Sequence, residues 1–252
     1  MNFKLFIVFM VLSSTIFSQN SKGAKKAPAT VKKTAPLPPP RIIVPANYGS
    51  VQDIDGNTYR TIKIGEQTWM ADNLKTKRFN DGTAISNIKD NFEYSFHEGP
   101  NWNYYNNDYS KNSDYGKLYN AYVVNNELNV CPTGWHIPSR NEFITLFKSI
   151  GEFVIDEEDN SVSSYVAGEK LKSQQFWNRP NKGALNTSFF NALPGGMGIS
   201  EEFESMGNNA FYWSSDRSKR GENWCLSLLH DQEYGHLFSM PHTGYSIRCL
   251  QD

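Results

Sequence analysis

Apolar and polar positions change period several times between residues 49 and 252, and each change marks an element. Val51 to Asp55 and Thr58 to Ile64 alternate on either side of Gly56-Asn57, and Trp69-Met70 resumes the apolar pattern after Gly65-Glu66. Alternating runs divided by an Asp-Gly step predict hairpins. After Pro138 the period becomes helical. Phe143, Leu146, Phe147 and Ile150 share one face, Ser139 and Glu142 form an S-x-x-E capping box before it, and Gly151 follows as a stop. That face reads as core, with Trp135 and Ile137 packing beneath it. The C-terminal third returns to period two. Phe211–Ser215, Asn223–His230, Gly235–Met240 and Gly244–Leu250 read as four strands of one compact antiparallel sheet, and Trp224, Leu226 and Leu228 share a face of the second. Asn91 to Ser113, rich in Asn, Tyr, Asp and Ser, reads as irregular loop.

The beginning of the chain follows other rules. Lys4 precedes an apolar run from Leu5 to Phe17, and Ser18-Gln19 offers a cleavage point, the pattern of a secretory signal over residues 1–18. A membrane span needs roughly 20 apolar residues, so this run is too short, and no second stretch of spanning length follows it. The mature protein is expected to be secreted or held at the cell surface or outer envelope, without a membrane span. Residues 19–46 are dominated by Ala, Lys, Ser, Thr and Pro and read as a disordered, semi-rigid stalk. The net charge of −1 hides an asymmetry: residues 1–46 hold seven of the 25 basic groups and none of the 26 acidic ones, leaving 18 against 26, or −8, on residues 47–252. An acidic body argues against nucleic acid as a partner, because that binding depends on neutralising phosphates.

Candidate chemistry is thin. Asp53, Asp55 and Asn57 resemble a calcium loop, but Gly56 stands fourth rather than sixth and no bidentate Glu follows, so turn chemistry is the better reading. His230, His236 and His242 recur every six residues without completing a zinc set. Cys225 and His230, five apart on one strand, point to opposite faces. Leu193 to Gly198 is glycine-rich but lacks the Lys-Ser/Thr of a phosphate loop, and no G-x-S-x-G occurs. No catalytic residue, metal or cofactor is nominated, and the chain is read as a non-enzyme. Aromatic residues make up 14% of the chain. Trp102, Tyr104, Tyr105, Tyr109, Trp177 and Tyr234 fall in loop-like contexts, where ring faces can stack on sugars or anchor a protein partner. Trp102, Tyr104, Tyr105, Trp177 and Tyr234 are the candidate binding residues.

The ordered set Asp55-Gly56-Asn57, Gln67-x-Trp69-Met70-Ala71-x-Asn73-Leu74, Gly116-x-Leu118-Tyr119-Asn120-Ala121-Tyr122, Cys131-Pro132-x-Gly134-Trp135-His136-Ile137-Pro138, Gly168-x-Lys170-Leu171-Lys172, Leu193-Pro194-Gly195-Gly196, Tyr212-Trp213-Ser214-Ser215 and Ser246-Ile247-Arg248-Cys249 resembles the Fibrobacter succinogenes major paralogous domain over residues 50 to 252. Cys225 stands outside that pattern. The resemblance implies an exported bacterial module. The Gly-Trp-x-x-Pro segment and the Trp-Ser-Ser to Arg-Cys ending are similar to C-type-lectin-like domains, implying an α+β fold with short antiparallel sheets, one main capped helix and long irregular loops. Three cysteines in an exported chain read as one bridge and one spare thiol. The lectin likeness implies Cys131 with Cys249, and Cys225 with Cys249 is the rival. The Glu-Pro-Asn, Gln-Pro-Asp and Trp-Asn-Asp calcium motifs of sugar-binding lectins are absent. The expected role is recognition of a glycan or an envelope or surface protein, or surface architecture. The alternative is an enzyme of the formylglycine-generating-oxidase type, which would need two thiols close together.

Overall fold

A computed structural model describes residues 48–88, 98–199, 202–240 and 244–252. The signal and stalk readings and His242 lie outside them. Strands β1 (Gly49–Gln52), β2 (Thr58–Ile64) and β3 (Gln67–Met70) pair in antiparallel succession, as the alternation predicts. The Asp53 carboxylate gathers the donors of the first turn. It accepts from the Asp55 and Asn57 amides at 2.9 Å, the Asn57 side chain at 2.8 Å and the Tyr59 hydroxyl at 2.5 Å. The turn's own donors occupy the oxygens that a calcium ion would need.

The small sheet that follows joins β4 (Ser86–Asn87), β5 (Asn101–Asn103) and β6 (Leu118–Tyr119). Asn91 to Ser113 is therefore not all loop: β5 is fully buried, and one helical turn, α1 (Tyr109–Asn112), comes after it. Helix α2 (Ala121–Val124) is capped by Asn120, whose side chain accepts from the Val123 amide. Strand β7 (Trp135–His136) leads into α3 (Arg140–Ile150), where both halves of the Ser139–Glu142 capping box form and Gly151 ends the helix. Trp135 and Ile137 do not pack beneath it. Phe143, Leu146 and Phe147 join a core with Trp69, Phe190, Tyr212 and Trp224, whereas Trp135 and Ile137 belong to a second core around Cys131, Trp213 and Tyr245. The chain is extended from Trp135 to Ile137, so these two point to the face opposite the helix.

After β8 (Val154–Ile155) and β9 (Val162–Ser164), strands β10 (Met197–Ile199) and β11 (Glu202–Glu204) pair with each other, and the second large sheet runs β12 (Asn209–Arg217), β13 (Asn223–Leu229), β14 (Gly235–Met240), β9 and β8. Trp224, Leu226 and Leu228 face the helix core, as their spacing predicts, and Cys225 between them faces the other. Helix α4 (Ala167–Leu171) docks on the β13–β14 turn: the Gly168 amide donates to the Glu233 carbonyl at 2.8 Å, and a Cβ on Gly168 would lie 2.6 Å from that oxygen. Only glycine admits that approach.

The segment Gly244–Leu250 departs from the expected fourth strand of this sheet. It runs between the sheets. Tyr245 exchanges two backbone bonds with Tyr119, Ser246 donates to Phe211 and accepts from Trp213, Ile247 accepts from Leu74, and Cys249 accepts from Met70. Its end, β15 (Leu250–Gln251), lies between β3 and β7 in the first sheet. The period-two pattern is real, but both faces are buried. Tyr245, Ile247 and Cys249 enter one core and Leu250 the other, while Arg248 lies over the rings of Phe190 and Tyr212 at 4.3 and 4.9 Å. Cys131 and Cys249 are bonded across a sequence separation of 118 residues, and Cys225 is the free, buried thiol. Together these form small mixed sheets with few helices, an α+β arrangement weighted towards β. Among the described residues no helix is long and apolar enough to cross a membrane.

A bridge closing so long a loop restricts the unfolded chain by about 4–5 kcal/mol in the chain-entropy account. Replacing Cys131 and Cys249 together by Ala is expected to lower the unfolding free energy by about that much in urea titrations, and a loss below about 1 kcal/mol would contradict the account.

Candidate functional site

The candidate site for ligand contact is built where β5 and β6 meet the segment after β3. Trp102 is held in β5 by an indole N–H bond to the Ile85 carbonyl at 3.0 Å. Beyond it, Asn106 and Asn107 adopt positive φ of 51° and 56°. Asparagine tolerates that left-handed geometry better than other chiral residues. The resulting reversal brings Tyr109 against Tyr104 at 5.1 Å between ring centres, and Tyr104 against Trp102 at 5.5 Å, both edge to face. Trp102 is buried, Tyr104 half-buried and Tyr109 65% exposed, so the three rings step from the core out to solvent.

Under these rings lies Lys117. Gly116 before it has φ +80°, and a Cβ there would sit 2.7 Å from the Asn73 side chain, so the chain passes close to Asn73 and turns Lys117 inward. The lysine is 1% exposed. Its ammonium donates to the Lys75 carbonyl and to the Tyr104 hydroxyl at 3.1 Å, and sits 4.5 and 4.8 Å from the centres of the Trp102 and Tyr104 rings. Ring faces attract a cation at that distance. Burial nevertheless disfavours the charge, and together with neighbouring Lys77 it brings the pKa down to about 8. Lys117, Lys75 and Lys77 line one open cleft of about 610 Å³ with Trp102, Tyr104 and Tyr109.

The other candidate residues lie elsewhere. Tyr105 packs on Phe203 at 5.5 Å and donates to its carbonyl at 3.1 Å. Trp177 is buried in the helix core, its indole N–H bonded to the Ala192 carbonyl at 3.0 Å. Tyr234 is half-buried on the β13–β14 turn. Thus Trp102 and Tyr104 come together, and Tyr105, Trp177 and Tyr234 do not join them. Lys117 was missed from sequence. Its signal was a single charge inside the apolar framework Gly116-Lys117-Leu118-Tyr119.

A second open cleft, of about 740 Å³, lies beside β14, with Trp224, His236 and Phe238 among its walls and both acidic (Asp156, Glu158, Asp159) and basic (Lys219, Arg220) residues around it. His236 accepts from or donates to the Ser163 hydroxyl at 2.8 Å. Among the described residues no three His, Cys, Asp or Glu side chains are grouped to hold a metal ion.

The family motifs serve the frame. The Trp213 indole donates to the Tyr119 carbonyl at 2.7 Å, and the Tyr119 hydroxyl to the Thr76 carbonyl at 2.8 Å. Lys172 is buried, and its ammonium donates to the carbonyls of Lys182, Leu229 and Gln232 at 2.8, 2.9 and 2.8 Å, fixing the turn on which α4 docks. Arg248 donates to the Phe190 carbonyl, to the Asn191 carbonyl at 3.2 Å and to the Asn73 side chain at 2.5 Å. The sequence matches the Fibrobacter succinogenes major domain over residues 62–251, and the chain belongs to that family. No curated protein and no solved structure matches it.

Two predictions come from these side chains. The Lys117 pKa is depressed from 10.5, so the folded state releases its proton before the unfolded state does, and this contribution to stability rises with pH above about 8. From pH 8 to 9 the unfolding free energy is expected to rise more in the wild type than in Lys117→Met, measured by urea titration; parallel profiles would contradict it. Burial also pushes the Cys225 thiol well up. Ellman's reagent is expected to detect no thiol in the native protein and one after unfolding, and rapid native labelling would contradict the placement.

Proposed function

We propose that this chain is an exported, surface-associated recognition module of C-type-lectin-like fold that binds a glycan through the Trp102–Tyr104–Tyr109 cleft. The observation that carries the reading is the three-ring step from core to solvent, anchored at its base on a fixed strand. Sugars present C–H faces that pack on aromatic rings, and rings held by a frame lose little conformational entropy on binding. The disulfide supports the reading by tying the frame that carries the cleft. Export rests on the Lys4 and Leu5–Phe17 pattern, and residues 19–46 serve as the spacer from the surface. Among the two ligand classes expected, a glycan fits an open cleft better than a protein, whose interfaces are generally broader.

The oxidase alternative finds less support. Cys131 and Cys249 are bonded to each other, and the third cysteine, Cys225, is buried with its thiol held in the protonated form.

A glycan array with the wild type and Tyr109→Ala tests the function. Wild-type binding is expected, with a loss of about tenfold in affinity for the variant, the scale of an aromatic anchor. Equal binding by the two would move the site away from this cleft, and no binding by the wild type would remove the glycan reading.

A further inference from the structure

Among the described residues, every charge on the wall of the aromatic cleft has the same sign: Lys75, Lys77 and Lys117 line it, and no described carboxylate does. The imbalance runs against the domain, since residues 47–252 carry 18 basic and 26 acidic groups, a net −8. The second cleft shows no such bias, with both acidic and basic side chains among its walls. We propose that the aromatic cleft selects an anionic saccharide, with carboxylate or sulfate groups set against Lys75, Lys77 and Lys117 and sugar faces against Tyr104 and Tyr109. The proposal rests on the glycan reading of the same cleft and adds the charge of its ligand.

The two carboxylates whose charge reaches Lys117, Asp53 and Asp55, are already engaged. Asp53 is saturated by the β1–β2 turn and the Tyr59 hydroxyl. Asp55 accepts from the Thr76 hydroxyl at 3.0 Å and the Lys77 amide at 2.5 Å, and pairs with Arg78 at 3.4 Å. Lys75 and Lys77 form no ion pair among the described residues. Lys117 is fixed in place by a carbonyl, a phenol and two ring faces, none of which carries a full negative charge. A cation held in a partly dry site gains more from an approaching anion than one free in water, because less solvent screens the pair. Asn57 and Asn87 also line the cleft; their amide nitrogens are bonded to Asp53 and to Trp102 and Asn103, and their amide oxygens are suited to accept from hydroxyls beside the anion. An acidic peptide would satisfy the lysines but offers no sugar face to the exposed Tyr109 ring.

The experiment is isothermal titration at low salt with four probes: an oligogalacturonate, its fully methyl-esterified form, a sulfated neutral-sugar oligosaccharide and poly-glutamate. The oligogalacturonate or the sulfated oligosaccharide is expected to bind at least about tenfold more tightly than the ester, and the preference between these two identifies the anion as carboxylate or sulfate. The doubly substituted Lys75→Gln, Lys77→Gln protein is expected to lose about tenfold for the favoured acid and almost nothing for the ester, while Lys148→Gln on α3 binds as the wild type does. Added salt weakens the acid only, as the screening length shortens to about 8 Å at physiological ionic strength. Ester binding equal to that of both acids overturns the charge selection and leaves the glycan reading standing. Poly-glutamate binding as tightly as the acids overturns the saccharide assignment. Binding of none of the four overturns both.

Discussion

The segment from residue 244 to 252 runs along the boundary between the two cores of this domain, a boundary it shares with β12 and β13. Its alternate side chains enter opposite cores, and its backbone bonds to strands that lie before and after it in space but far away in sequence. Each of its partners is therefore placed by a single short peptide. The disulfide at Cys249 and the Arg248 guanidinium both act on it, one towards Cys131 and the other towards Asn73 and the loop at Phe190. Take the segment away and the first core loses Tyr245, Ile247 and Cys249 while the second loses Leu250.

Buried positive charge is the second theme. Lys117, Lys172 and Arg248 are each at most 1% exposed, and none meets a carboxylate within ion-pair distance among the described residues. Carbonyls and ring faces hold them instead. A buried ion pair must desolvate two charges, whereas a cation among carbonyls desolvates one and satisfies several acceptors that would otherwise lack partners. Lys172 gathers the carbonyls of a hairpin turn and Arg248 those of a loop. Lys117 lines the aromatic cleft, so the same device serves the frame and the site together.

Local features were legible from sequence and distant ones were not. The α3 capping box, the β1–β2 turn at Asp53 and the Trp224-Leu226-Leu228 face each depend on residues within a few positions of one another, so their pattern determines their structure. Gly244–Leu250 showed its strand period but not its partners, because Leu74, Tyr119 and Phe211 are scattered along the chain. Trp102 and Trp177 occur in similar polar surroundings, yet one walls a cleft and the other is shut in the core; only tertiary packing separates them. The buried cations carried a signal that composition conceals: Lys117, Lys172 and Arg248 all lie next to apolar framework residues, where a solvated lysine or arginine has no reason to be.

The position of the bridge in the last segment also has a mechanical consequence. A load applied at Asp252 meets the backbone bonds of three residues, Leu250, Gln251 and Asp252, and the contact of the Asp252 carboxylate with His136 before it reaches Cys249. From there the force passes through sulfur to Cys131 and the segment ahead of the main helix. Peeling stops at a covalent bond, and everything upstream of it on the strand stays seated.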